Sequence, residues 1–164
     1  MVEQIDPVSR LAAAGIDLPV PPEPLANYVP ATRNGLVVHT SGQLPLRAGH
    51  LLHRGKLGRE VTVEEGRECS RQAAVNALAA VAAVAGGLGP VASVVRMVVY
   101  VASDPSFTAQ PKVADGASEL LDLAFGSRGR HARSAVGVAV LPLDAPVEVE
   151  LVVELLPRHA APDE

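Results

Sequence analysis

Aromatic side chains are almost missing from this chain. Among 164 residues they amount to 2 %, namely Tyr28, Tyr100, Phe107 and Phe125, and tryptophan is absent. The core must therefore be built mainly from Ala, Val and Leu. Binding of single-stranded nucleic acid by base stacking, which needs a platform of aromatic faces, is disfavoured. Lysine is scarce too, with Lys56 and Lys112 the only two. The formal net charge is −4 and the pI about 5.7, so electrostatics alone draw the chain neither to nucleic acid nor to an anionic membrane. The single cysteine, Cys69, excludes an internal disulfide framework and points to a reducing compartment. Long apolar runs are lacking as well. The most apolar helical stretch, residues 73–85, carries Asn76 and falls short of the roughly 20 residues that span a bilayer. Residues 1–10 hold Glu3 and Asp6 and no apolar signal core. The expectation is a soluble cytoplasmic protein with neither membrane nor nucleic acid as partner.

What is present suits one ordinary domain. Hydrophobic residues make up 48 % and charged residues 20 %, which is globular rather than disordered. Asp6-Pro7 and Gly15 frame a short helix over 4–14. Five prolines within 17–31 predict an extended arm. Residues 36–40 predict a strand closed by Ser41-Gly42, and 44–52 a hairpin turning at Arg47-Ala48-Gly49. Thr62, followed by Glu64 and Glu65, starts a long helix that ends at Gly86-Gly87. Residues 91–101 predict a strand, and 112–125 a second amphipathic helix ended by Gly126. Ser127 to His131 is a basic loop. Residues 134–141 and 147–155 predict two strands, read as a closing hairpin. The fold class is α+β, a mixed β-sheet with two long helices on one face. The other face then needs cover, which a second subunit would supply.

The last segment carries the clearest chemistry. Alternate residues of a strand share a face, so Arg133 stands with Ala135, Gly137 and Ala139, a small-residue stripe with one guanidinium at its end. Glu148 and Glu150 share a face on the following strand. An Arg in such a place is suited to clamp a carboxylate, and a half-buried Glu to activate water. From the residues alone, an ordinary Arg–Glu ion pair on a sheet edge is the better reading, since structural pairs outnumber catalytic ones. Tyr28, between prolines, is a candidate for lining a cleft or padding an interface. His131 either faces the cleft or contacts backbone, and Arg128, Arg130 and His131 together form a basic cluster. His50 and His53 lack a third ligand at metal spacing, so neither metal nor organic cofactor is expected.

Several segments together resemble the RidA/YjgF family of enamine and imine deaminases, older members of which were called L-PSP endoribonucleases. They are Asn27-Tyr28-Val29-Pro30, Gly35 to Pro45 with its SGQ-x-P, Asn76-Ala77-Leu78, Val98 to Phe107, and Ala132-Arg133-Ser134-Ala135-Val136 with Leu141-Pro142 and Val147-Glu148-Val149-Glu150. The likeness is to a longer branch of the family: residues 1–24 form an N-terminal helix and proline-rich arm, 25–156 the RidA/YjgF-like domain, and 157–164 a frayed tail. The resemblance implies a chorismate-mutase-like fold and a homotrimer with ligand clefts between subunits. It implies that Arg133 binds a substrate carboxylate, that Glu148 stands near the attacking water, and that Tyr28, Ser41 and Gly42 line the cleft. Two positions depart from the pattern: Ala135 stands where many active members have Cys, and Asp115 falls roughly where they have Asn.

The function so implied is hydrolysis of small reactive enamines and imines, 2-imino acids, to keto acids and ammonia. An alternative is a non-enzymatic trimer that binds small carboxylates, which the two departures favour. RNA cleavage is the third, opposed by the charge and the missing aromatics. Whether the chain is an enzyme thus stays open at the level of sequence. Arg133 and Glu148 are the candidate catalytic residues, and Tyr28, Ser41, Gly42, Asp115, Ala135 and His131 the candidate substrate-binding ones.

Overall fold

The computed structural model describes residues 6–21 and 27–157. Residues 22–26 of the proline-rich arm and nearly all of the C-terminal tail lie outside them. Helix α1 spans Pro7–Ala13; Asp6 caps it by accepting from the Ser9 N–H at 3.2 Å. Strands β1 (Ala31–Asn34) and β2 (Val37–Thr40) form a hairpin, and β3 (Leu46–Arg47) and β4 (His50–Leu51) a smaller one. Helix α2 runs Val63–Ala85, β5 Val91–Ala102, α3 Gln110–Phe125, β6 Ala132–Val138 and β7 Val147–Leu155. Of the prolonged elements only β1 was not expected.

The boundaries of α2 follow from its end residues. Thr62 Oγ1 accepts from the Glu65 N–H at 3.2 Å, and the Glu65 carboxylate accepts from the Thr62 N–H at 2.8 Å, a reciprocal cap. At the other end Gly86 turns left-handed, with φ 77°.

The main sheet is mixed, in the order β1-β2-β7-β5-β6. Only β5 and β6 run parallel, joined through α3. Helix α2 packs on β7 and β2, and α3 on β5 and β6, so both long helices lie on one face. Strand β7 alternates accordingly. Val147, Val149, Leu151, Val153 and Leu155 are buried in the core, while Glu148, Glu150, Val152 and Glu154 line the opposite, open face. That face also carries Arg96, Val98, Tyr100 and Val136, by register with β7 and β6.

The topology corrects the closing hairpin. Strands β6 and β7 are consecutive in sequence but β5 lies between them. A strand that follows β5 through a helix returns parallel beside it, which makes β6 an edge. Strand β7, apolar on every second residue, then fills the slot between β2 and β5, where both its edges are paired. Strand β6 also starts and ends earlier than expected, at Ala132 and Val138.

Candidate functional site

The candidate residues fall into two clusters on opposite faces of the sheet. The first surrounds Arg133, which β6 aims toward the helix face. Its Nη1 donates to Asp115 Oδ1 at 2.8 Å and to Ser118 Oγ at 3.1 Å, both on α3. Asp115 and Ser118 are three residues apart, so they share one side of that helix. Among the described residues Nη2 and Nε of Arg133 have no protein partner, which leaves one edge of the guanidinium free for a planar anion. Asp115 is also 3.8 Å from Arg67, itself 2.6 Å from Glu119. A carboxylate that would repel an anionic ligand is thereby matched by two cations. These pairs are solvent-exposed, so their worth to stability is small, about 0–1 kcal/mol; their effect is to orient Arg133.

His131 joins this cluster. Its Nε2 is 3.1 Å from Ser118 Oγ and its Nδ1 is 2.6 Å from the Gly129 carbonyl. It contacts backbone and a side chain of α3 at once. The cleft, about 320 Å³, is bounded by Ser118, Asp122, Gly129, Arg130, His131 and Arg133. Ala135 stands two residues along β6 on the same side and packs against the core. Of the basic cluster, Arg128 is diverted: it donates to the Val91 carbonyl at 2.7 Å and lies over the Phe125 ring. Ser118 was not singled out from sequence, although its spacing from Asp115 was a usable signal.

The second cluster sits on the open face. Gln43 exchanges backbone hydrogen bonds with Val149, at 2.9 and 3.0 Å, which lays the 41–43 segment along β7 beside Glu148. A Cβ at Gly42 would fall on the Glu148 carboxylate, so only glycine leaves that side chain its place. Ser41 Oγ donates to the Val29 carbonyl at 2.7 Å, holding the exposed Tyr28 nearby in the chain. Glu148 is half-buried. Burial, and then the neighbouring Glu150 carboxylate, pushes its carboxyl above the ordinary range. Tyr100 donates its hydroxyl to Glu150 at 3.3 Å; burial first, then Glu150, raises the phenol.

Within one chain, then, Arg133 and Glu148 do not meet. The expected Arg–Glu ion pair does not form, because β5 separates their strands and they face opposite ways. The remaining candidates lie elsewhere. His53 is 3.6 Å from Glu65 and 3.7 Å from Glu68, and no group of three side chains suited to a metal occurs among the described residues. Cys69 is buried; desolvation, then Glu68, pushes its thiol up to about 12. No helix among the described residues is long and apolar enough to cross a membrane.

A family profile described as "YjgF/chorismate_mutase-like, putative endoribonuclease" matches residues 8–155, which takes in every strand and all of α1 but Pro7. The chain belongs to this family. Protein TCP17 of Trypanosoma cruzi is 45 % identical over 148 residues, 90 % of this chain and 92 % of that protein. Among solved structures, a protein of unknown function from Agrobacterium tumefaciens is 41 % identical with a TM-score of 0.85, covering 91 % of this chain and 92 % of that one. An endoribonuclease-like protein from Shewanella oneidensis, termed putative, is 39 % identical with a TM-score of 0.88, covering 92 % and 99 %. The YjgF-family fold is thus the α+β, chorismate-mutase-like arrangement expected from the sequence, with both long helices on one face of a mixed sheet.

Proposed function

We propose that this YjgF-family chain hydrolyses small reactive enamines and imines, 2-imino acids in particular, to keto acids and ammonia, in clefts shared between the subunits of a homotrimer. The observation that carries the reading is the free edge of Arg133, a guanidinium oriented by Asp115 and Ser118 yet open on Nη2 and Nε. That edge takes the substrate carboxylate in two parallel bonds. The separation of Arg133 from Glu148 supports sharing: each chain supplies one cluster to each of two clefts. The open sheet face, with Val95 and Val136 still 45 % and 43 % exposed, is where a neighbour packs. Residues 1–24 form an extension to the domain of residues 25–156, and the setting is the cytoplasm.

In such a cleft the partner subunit's Glu148 holds a water against the C=N carbon. Its raised proton affinity suits it to accept the water proton as the C–O bond forms. The proton passes to nitrogen, the C–N bond breaks, and ammonia leaves with the keto acid. Imines hydrolyse unaided, so orientation and charge matching suffice, and no metal or organic cofactor takes part. Ammonia release from enzymatically generated 2-imino acids is the test. The wild type should exceed buffer clearly and Arg133→Ala should fall to the buffer rate; a wild type equal to buffer sinks the reading.

A second reading is favoured by Ala135 and by the Asp115 contact on Arg133: a trimer that binds small carboxylates without turnover. Thermal shifts with a panel of 2-keto acids separate the two, since binding raises the midpoint by mass action. A large shift without ammonia release selects this second reading. Ribonuclease activity runs against the charge of −4, the two lysines and the 2 % aromatics.

A further inference from the structure

The hydrogen bonds around His131 place a candidate base against a serine hydroxyl. The Gly129 carbonyl, 2.6 Å from Nδ1, can only accept, so Nδ1 carries the hydrogen. Nε2 of the neutral ring is then an acceptor, and Ser118 Oγ, 3.1 Å away, donates to it. Oγ in turn accepts from Arg133 Nη1 at 3.1 Å. The order is hydroxyl, imidazole, orienting acceptor, the arrangement that activates a serine nucleophile, with a backbone carbonyl as the orienter.

Ser118 differs in this from an ordinary helical serine. Ser70 on α2 spends its hydroxyl on carbonyls, Val113 at 2.6 Å and Arg67 at 3.1 Å, and is fully buried. The bonds of Ser118 run outward from α3 to β6 and the loop before it, and the residue lines the cleft beside Arg133 and Arg130. A guanidinium against Oγ also favours the alkoxide over the hydroxyl.

We propose that Ser118 is a nucleophile, with His131 as its base, for acyl transfer from small esters that carry an anionic group. Ser118 Oγ attacks the ester carbonyl carbon while its proton moves to His131 Nε2. The bond to the alcohol oxygen then breaks, and the alcohol leaves with that proton. Water repeats the sequence on the acylated Ser118, releasing the acid and restoring the hydroxyl. Arg133 and Arg130, which both line the cleft with Ser118, hold the anionic group. Imine hydrolysis plays no part here, and neither the partner subunit's Glu148 nor ammonia enters the test.

The test uses the full-length protein and a fluorophosphonate probe, read by intact mass and peptide mapping. The Oγ–P bond forms, fluoride leaves, and the proton goes to His131. One adduct per chain on Ser118 is expected, none in Ser118→Ala, and labelling at least about tenfold slower in His131→Gln. Hydrolysis of the mono-p-nitrophenyl ester of succinic acid, which carries the anionic group, should follow the same order. Misfolded variants are recognised by their thermal melts and by a second readout, Ser118→Cys with iodoacetamide. Native Cys69 is buried, its thiol pushed up to about 12, and stays unreactive. The introduced thiol should react at least about tenfold faster than in Ser118→Cys combined with His131→Gln. Wild type unlabelled at Ser118, labelling indifferent to His131→Gln, or ester hydrolysis that persists in Ser118→Ala each overturns the proposal.

Discussion

At Gly116 α3 lies close against α2, and adding one methyl group there tests how the site is held. A Cβ at Gly116 would run into the Arg67 backbone carbonyl and stand 2.8 Å from Ser70 Oγ. A backbone oxygen cannot rotate away, so the helices must separate. Overpacking of this kind costs about 1–3 kcal/mol. The Ser70 hydroxyl, now bonded to the Val113 carbonyl at 2.6 Å, is disturbed as well, a loss of about 1 kcal/mol. Against this, alanine is the better helix former by about 1 kcal/mol. The net expectation for Gly116→Ala is a loss of about 2 kcal/mol, or about 4–8 °C in Tm for a domain of this size. Thermal and urea melts at pH 7 read it, with exposed Lys112→Ala on the same helix as a control that should change little. Because Asp115 and Ser118 flank the substituted position, the variant should also weaken carboxylate binding at Arg133. An unchanged or raised Tm would mean that helix propensity wins and that the close crossing is not what sets α3 against β6.

Thr62→Ala removes the hydroxyl half of the reciprocal cap on α2 and should cost about 1–2 kcal/mol; a Tm within a degree of wild type would contradict the capping role. Glu148→Gln should stabilise the fold at pH 7. The Glu148 carboxyl holds its proton more tightly folded than unfolded, so its stabilising contribution is full below the ordinary value of 4.5 and is lost as pH rises through the folded pKa. The Tm difference between variant and wild type should therefore shrink toward zero near pH 4, and a difference that grows on acidification would refute the sign. Light scattering at low micromolar concentration should give about three times 17.0 kDa; a mass near one chain would leave the open sheet face uncovered and the shared cleft incomplete.

What could be read from the sequence was whatever local chemistry decides. Thr62, Glu65 and Gly86 mark the ends of α2 because capping acts within one turn. The alternation from Val147 to Leu155 marks a strand with one buried face, and the structure agrees with it residue by residue. Strand β1 was missed although the two-residue loop Gly35-Leu36 joins it to β2, with glycine at the first loop position and φ 61°. The order of strands was beyond local reasoning. Nothing in residues 139–146 says that β5 intervenes between β6 and β7, and the reading of a hairpin put Glu148 on the strand next to Arg133. The approach of Asp115 and Ser118 to Arg133 depends on α3 crossing β6, a tertiary fact. Ser118 was legible only as the residue one turn beyond Asp115, and Gly42 only as part of a resemblance, its steric need for glycine being set by Glu148.

The central claim is that Arg133 of one subunit and Glu148 of another serve one cleft. Arg133→Ala and Glu148→Gln are each expected to release no ammonia from 2-imino acids above buffer. Mixed in equal amounts, unfolded and refolded together, they form a population of trimers, about three quarters of them hybrid, in which about a quarter of all clefts combine an intact Arg133 with an intact Glu148. The account predicts recovery of about that fraction of the wild-type rate. No recovery, with wild type refolded in parallel regaining its activity and the hybrids confirmed by mass, would contradict it.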